Sequence, residues 1–243
     1  MHLPLLAAAL LAAAPTPLAA RTNADWPAEW TRVDAQDGSA AGPEALDGTR
    51  DDANAFLAAE MPGVDWAALP RLNLTFSSGP GSTTVVVDGD ASTFSSEDPF
   101  ATAVPWVLWP TRLGVCTLLC VDPDAPTRAN AAGDMVGRNA PFLHWLLSGA
   151  VGSSDSDEAD DVVPYLEPAS VPGTGRHRIV FVLYRHVGAG ALNVTEAVRD
   201  RRARGRFDLA EFARENPSLR PVAVNFFYHE SVREGDTTPY DMG

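Results

Sequence analysis

The sequence predicts a mostly β protein whose main domain is an all-β sandwich. From Leu72 onward, short runs rich in Val, Leu, Thr and aromatic residues alternate with Gly, Ser, Asp and Pro. Short strands parted by such turn residues are typical of β-sandwiches. The chain has 243 residues, of which 45% are hydrophobic, and this is enough to bury one large core.

The first 20 residues resemble a secretory signal peptide. They contain no Asp, Glu, Lys or Arg, and small residues that suit cleavage precede Arg21. The apolar run is too short to span a membrane as a helix. We therefore expect a secreted protein, or one in the secretory pathway, with an organelle lumen as the alternative. Glycosylation sequons at Asn73 and Asn193 are compatible with that route.

Residues 21–66 predict an N-terminal extension that packs loosely on a domain formed by residues 67–243. Within the extension, only Asp51–Glu60 is expected to be helical, because aspartates open it and Pro62 follows it. The net charge of −14 argues against a nucleic-acid partner and against broad adsorption to an anionic bilayer.

Three short strands are predicted near residues 72–76, 83–87 and 105–109, before a further apolar run. That run, residues 113–120, has two apolar faces and predicts a buried strand that delivers carboxylates to a proline-stiffened turn at a sheet edge. Its cysteines, Cys116 and Cys120, are four residues apart. They would lie about 13 Å apart on a strand, too far to form a disulfide bond.

Two later strands carry histidines among apolar residues. In residues 141–148, strict alternation places Phe142, His144, Leu146 and Ser148 on one face. In residues 176–184, the same alternation places His177 at the rim of the core.

The remaining segments have simpler patterns. We expect a solvated acidic loop at residues 153–161, a loop rich in Pro and Gly at residues 165–175 and an exposed arginine cluster at residues 199–206. A helix is expected at residues 207–215 and a final strand at residues 222–228.

Asp122, Asp124, His144 and His177 all stand near strand ends and could serve several chemistries. No His-x-His or His-x-x-x-His spacing supports a metal site, and no Gly-x-Ser-x-Gly elbow supports acyl transfer. A structural network and a small pocket for an anionic head group remain. We favour the pocket, and we predict no cofactor and no enzymatic activity.

Four blocks occur in a characteristic order: Asp122-Pro-Asp-Ala-Pro126, His144-Trp145, Gly173-Thr-Gly-Arg-His177-Arg178 and Arg204-Gly-Arg-Phe207. They resemble the phosphatidylethanolamine-binding protein family, which includes Raf kinase inhibitor proteins and plant flowering regulators. The resemblance covers roughly residues 67–240. It implies a large antiparallel sheet packed on a smaller one in a Greek-key, sandwich-like arrangement, with a few peripheral helices and an anion pocket at one end.

The resemblance also implies which residues bind the ligand. These are Asp122, Asp124, Pro126, His144, Tyr165, Ala169, Ser170, Val171 and His177, with Tyr240 as a further candidate. It implies a cis peptide bond at Ala125-Pro126. Phe142 and Ile179 stand where the family usually has Trp and Tyr, and Glu167 adds a negative charge to the pocket rim.

The resulting functional prediction is a monomeric, non-enzymatic binding protein. Its pocket takes a phosphate-type head group, from a phospholipid or another phosphorylated ligand, and it regulates a protein partner such as a kinase or a protease. The alternative is a carboxypeptidase-type protease inhibitor on the same scaffold, with residues 21–66 as the candidate inhibitory segment. Neither prediction includes an integral membrane segment.

Overall fold

The computed structural model describes residues 51–77, 84–86, 93–98, 102–126, 140–172, 174–188, 191–200 and 204–231. The predicted signal peptide, residues 21–50 of the predicted extension, and Tyr240 lie outside these ranges. Among the described residues, no helix is both long and apolar enough to cross a membrane.

The described residues form nine strands and three α-helices. The strands are β1 (Asn73–Ser77), β2 (Thr84–Val86), β3 (Thr93–Ser95), β4 (Trp106–Leu108), β5 (Val115–Asp122), β6 (Phe142–Val151), β7 (Asp160–Val163), β8 (His177–His186) and β9 (Leu219–Glu230). The helices are α1 (Asp51–Glu60), α2 (Glu196–Arg199) and α3 (Leu209–Glu215). Two 3₁₀ turns lie at Trp66–Ala68 and Thr111–Leu113.

The strands form a six-stranded sheet, in the order β3-β9-β8-β5-β6-β7, and a three-stranded sheet, in the order β2-β1-β4. Within the described strands, β3 and β9 pair in parallel and all other neighbours are antiparallel. The predicted fold class is confirmed. The large sheet is mixed because the three-residue strand β3 runs parallel to β9.

Two apolar layers cover the two faces of the large sheet. The first joins it to the small sheet and includes Leu74 from β1, Leu118 from β5 and Phe227 from β9. The second includes Leu119 from β5 and Phe212 from α3. Since β5 contributes to both layers, the prediction of a strand that is buried on both faces is confirmed.

Strand β5 lies between β6 and β8 in the large sheet. The predicted sheet edge is therefore the end of an interior strand, not a lateral edge. Cys116 and Cys120 are buried, unpaired thiols, as predicted. Burial raises the pKa of Cys116 to about 12 and raises the pKa of Cys120 well above its ordinary value. Both thiols therefore stay protonated at neutral pH.

Helix α1 packs into the second apolar layer. Ala53 and Leu57, which are four residues apart and thus on one helical face, are fully buried, as is Trp66. The predicted helix is confirmed, whereas the predicted loose packing is wrong for residues 51–66. The domain boundary at residue 67 stays a prediction.

The other predicted strands and the predicted helix at residues 207–215 are confirmed with small shifts in their ends, whereas β3, β7 and α2 were missed. Asp160 and Asp161 belong to β7, where Asp161 accepts a hydrogen bond of 2.7 Å from Trp145 Nε1. These two residues are exposed, as predicted, but they lie in a strand and not in the loop. Helix α3 begins after Asp208, whose carboxylate accepts from the backbone N–H of Glu211.

Candidate functional site

A cavity of about 230 Å³ lies where the end of β5 meets the beginnings of β6 and β8. The structure brings six of the predicted ligand-binding residues to its wall: Asp122, Pro126, His144, Ala169, Val171 and His177. Ala125, Phe142, Leu166 and Glu167 complete the lining.

The turn after β5 has the predicted form. The peptide bond Ala125-Pro126 is cis, as expected, and Ala140-Pro141 is a second cis bond. Asp122 Oδ1 accepts a hydrogen bond of 2.7 Å from the backbone N–H of Asp124. This contact makes an Asx-type turn and leaves the second carboxylate oxygen of Asp122 for another partner.

His177 is the other partner of Asp122. Its Nδ1 lies 2.8 Å from Asp122 Oδ2, and its Nε2 lies 3.0 Å from Thr174 Oγ1. Thr174 also donates its hydroxyl proton to the carbonyl oxygen of Val171 at 2.6 Å. Both ring nitrogens of His177 are therefore engaged within the protein.

His144 occupies a β-bulge in β6. Cys120 pairs with Trp145 and Val121 pairs with Leu143, so the register shifts by one residue at His144. A bulge of this kind redirects the side chains around the extra residue.

The bulge overturns the alternation predicted for this strand. Phe142 lies opposite Asp122 on one face of the sheet, whereas Leu146 lies opposite Leu119 and packs in the layer on the other face. The prediction that Phe142, His144 and Leu146 share a face is therefore wrong. The imidazole of His144 lies beside Phe142, with ring centroids 5.0 Å apart, and lines the cavity.

The hydrogen bonds of His144 fix its tautomer. Its Nδ1 lies 2.7 Å from the carbonyl oxygen of Leu166, which can only accept, so Nδ1 carries the proton. In the neutral ring, Nε2 is therefore an acceptor. Among the described residues, no hydrogen bond engages that nitrogen.

Burial lowers the pKa of His144 below its ordinary value of 6.5. Electrostatic interactions with Arg204 and His177 lower it further. Asp122 and the hydrogen bond to Leu166 act in the opposite direction. The ring is consequently neutral at pH 7 in the unliganded protein, and an anion that reaches Nε2 would favour its protonation.

Three predicted residues lie away from the cavity wall, and their binding role stays a prediction. Asp124 pairs with Arg178, accepting from its backbone N–H, Nε and Nη2 at 2.7–2.9 Å. Tyr165 packs edge-on against Trp145, and its hydroxyl is buried without a hydrogen-bond partner among the described residues. Ser170 points towards β9.

Arg204 is a residue whose position sequence reasoning missed. It is only 8% exposed, so the predicted exposed arginine cluster is wrong at this position. Its guanidinium donates to the carbonyl oxygens of Leu143, His144 and Pro164 at 3.2, 2.8 and 2.8 Å. Arg204 therefore braces the bulge that carries the cavity histidine.

His229 is a second residue that was missed. It is buried at the end of β9 and lies directly opposite His177 on β8. The signal was available, since the alternation of Val222–Tyr228 could have been extended by one residue.

Comparisons with known proteins agree on one family. A model of the family described as phosphatidylethanolamine-binding protein matches residues 82–227. The Arabidopsis thaliana protein named CENTRORADIALIS-like is 30% identical over 115 residues, which is 46% of this chain and 56% of that protein. The match thus spans about half the length of this relative.

Solved structures show the same fold at low sequence identity. The phosphatidylethanolamine-binding protein from Plasmodium vivax matches with a TM-score of 0.51 and 18% identity, over 79% of this chain and all of that one. A carboxypeptidase Y inhibitor, solved in complex with its cognate proteinase, matches with a TM-score of 0.50 and 21% identity, over 74% of this chain and 93% of the inhibitor.

Proposed function

The chain belongs to the phosphatidylethanolamine-binding protein family, and we propose that it is a non-enzymatic binding protein whose cavity takes a phosphate-type head group. The observation that carries the proposal is the state of His144. Its Nδ1–H donates to the Leu166 carbonyl, and among the described residues no hydrogen bond engages Nε2 of this cavity-lining ring. Once protonated, Nε2 becomes a charge-assisted donor for an anion.

The neighbouring carboxylate does not prevent this role. Both oxygens of Asp122 already accept hydrogen bonds, from the backbone of Asp124 and from His177. These partners offset part of its charge, and the ammonium group of a zwitterionic head group, or a protonated oxygen of a phosphate monoester, could still donate to it. The cavity therefore suits a ligand that carries both a negative charge and a hydrogen-bond donor.

The rim of the cavity favours a phospholipid as the source of the phosphate. Leu166 and Val171 are 38% and 55% exposed at the mouth, and they give apolar surface that acyl chains could cover. Glu167 lies between them on the wall and could pair with the amine of a zwitterionic head group such as phosphoethanolamine. The net charge of −14 favours a zwitterionic lipid over an anionic one.

The proposal is tested by calorimetry with phosphoethanolamine and with inorganic phosphate. Replacing His144 with alanine should weaken phosphoethanolamine binding by about tenfold, because one charge-assisted hydrogen bond is lost. Asp155→Ala is a surface control outside the cavity and should bind as the wild type does. Absence of binding by the wild type, or unchanged binding by a folded His144→Ala variant, would contradict the proposal.

We also propose that the protein acts in the secretory pathway or outside the cell and regulates a protein partner. The leader-like pattern of residues 1–20 supports the location. Support for a protein partner comes from the shared fold of the carboxypeptidase Y inhibitor, which was solved with its proteinase bound. Detection of the processed chain in culture medium would test the location.

Carboxypeptidase inhibition by the N-terminal extension is the second candidate function. Removal of residues 21–66 is not a suitable test, because it would remove Leu57 of helix α1 and Trp66 from the core. A chain that begins at Asp51 keeps this helix. If the head-group proposal is right, the full chain and the shortened chain should bind phosphoethanolamine equally and neither should inhibit carboxypeptidase Y. Inhibition by the full chain that disappears on shortening would favour the second candidate.

A further inference from the structure

We propose that His229 is a positioning residue of the head-group cavity, acting through Ser170 on the wall segment 169–171. The inference rests on the proposed function, because this segment forms one wall of the same cavity. Ala169 and Val171 face the cavity. Ser170, which lies between them, faces away and is only 9% exposed.

Ser170 is fastened to the end of β9. Its hydroxyl oxygen lies 2.7 Å from Nδ1 of His229, and its carbonyl oxygen accepts a hydrogen bond from the hydroxyl of Ser231. His229 is only 1% exposed and belongs to the long strand β9. A loop residue is therefore tied through its side chain and its backbone to a rigid element of the large sheet.

The next residue of the wall is held by the neighbouring strand. The carbonyl oxygen of Val171 accepts from the backbone N–H and the hydroxyl of Thr174, whose hydroxyl also contacts His177. His177 and His229 lie opposite each other on β8 and β9. Two histidines side by side thus secure consecutive residues of one wall, and His177 is also the partner of Asp122.

The two ring nitrogens of His229 differ in a way that permits a sharp test. Nδ1 bonds Ser170, whereas Nε2 is buried without a hydrogen-bond partner among the described residues. The amide of asparagine can reach the position of Nδ1, and the amide of glutamine the position of Nε2. If the contact to Ser170 is what matters, asparagine should replace His229 and glutamine should not.

The experiment measures phosphoethanolamine affinity by calorimetry and amide hydrogen exchange of residues 165–175 in the unliganded protein. We expect Ser170→Ala and His229→Gln to weaken binding by about tenfold, the usual effect of losing one buried hydrogen bond. Both variants should also speed exchange in this segment. His229→Asn should keep the wild-type affinity and exchange rate.

Thr117→Val is the matched control, since it removes a buried hydroxyl that lies 2.8 Å from His186 Nε2 at the far end of β8. It should lower stability but leave affinity and exchange in residues 165–175 unchanged. Wild-type affinity and wild-type exchange in His229→Gln would overturn the inference. If the wild type itself binds no phosphoethanolamine, the proposed function fails, and the exchange measurement alone decides whether His229 holds the wall.

Discussion

Replacing Arg204 with alanine should lower the free energy of unfolding by about 3 kcal/mol, because it leaves three carbonyl oxygens without their charged donor. Those oxygens belong to Leu143, His144 and Pro164. Since the guanidinium is nearly buried, water does not readily replace it. A loss of this size is a large share of the stability of an ordinary domain.

The measurement is urea denaturation of the variant beside two others. Arg204→Lys keeps the charge but lacks the planar fork that reaches several acceptors at once, so its stability should fall between those of the wild type and the alanine variant. Arg214→Ala is the surface control, because Arg214 pairs with Glu211 at 3.1 Å where both side chains are largely exposed. Such exposed pairs contribute about 0–1 kcal/mol. If Arg204→Ala cost no more than this control, the bracing role of Arg204 would be wrong.

The burial of Arg204 could not be predicted from the sequence. Five arginines within residues 199–206 indicate a solvated patch. The guanidinium of Arg204 donates to backbone carbonyl oxygens of β6 and of the segment after β7. Every residue has a backbone carbonyl, so the pattern of side chains does not show which carbonyls accept these hydrogen bonds. Its burial depends on how distant segments meet. The Arg204-Gly-x-Phe207 block was recognisable, but its physical role was not.

The local residue pattern was sufficient to predict a strand whose own sequence is distinctive. The apolar run before Asp122 predicted β5 and its two buried faces, and the proline-rich turn predicted the position of two carboxylates. The local residue pattern did not predict features that depend on how one strand pairs with another. Strand β3 has only three residues and exists through its pairing with β9. The bulge at His144 exists through the pairing of β6 with β5.

The affinity for a phosphodiester such as glycerophosphoethanolamine should rise as pH falls from about 8, by up to about tenfold per pH unit, which is about 1.4 kcal/mol. This ligand keeps a single negative charge over that range, so the change belongs to the protein. The free protein holds His144 neutral because burial lowers its pKa, whereas a bound anion raises it. At a pH between the pKa of His144 in the free protein and its pKa in the complex, each binding event then takes up one proton.

The effect of pH on the stability of the unliganded protein is opposite to its effect on ligand affinity. Because the pKa of His144 is lower in the folded protein than the ordinary 6.5, the unfolded chain binds more protons. The unliganded protein should therefore lose stability as pH falls below 6.5, and the ligand should restore it. His229, whose pKa burial lowers to about 4, contributes in the same direction without the ligand effect.

Calorimetry in buffers of different ionisation enthalpy counts the protons taken up on binding. Phosphoethanolamine should show a steeper dependence than the diester near pH 6, where a phosphate monoester itself titrates. His144→Gln is the decisive variant, because its amide can still donate to the anion but does not titrate in this range. It should bind the diester with an affinity that barely changes with pH. A wild-type affinity that is equally flat, with no proton uptake, would mean that His144 stays neutral in the complex, and the anion would then have to be held by other donors.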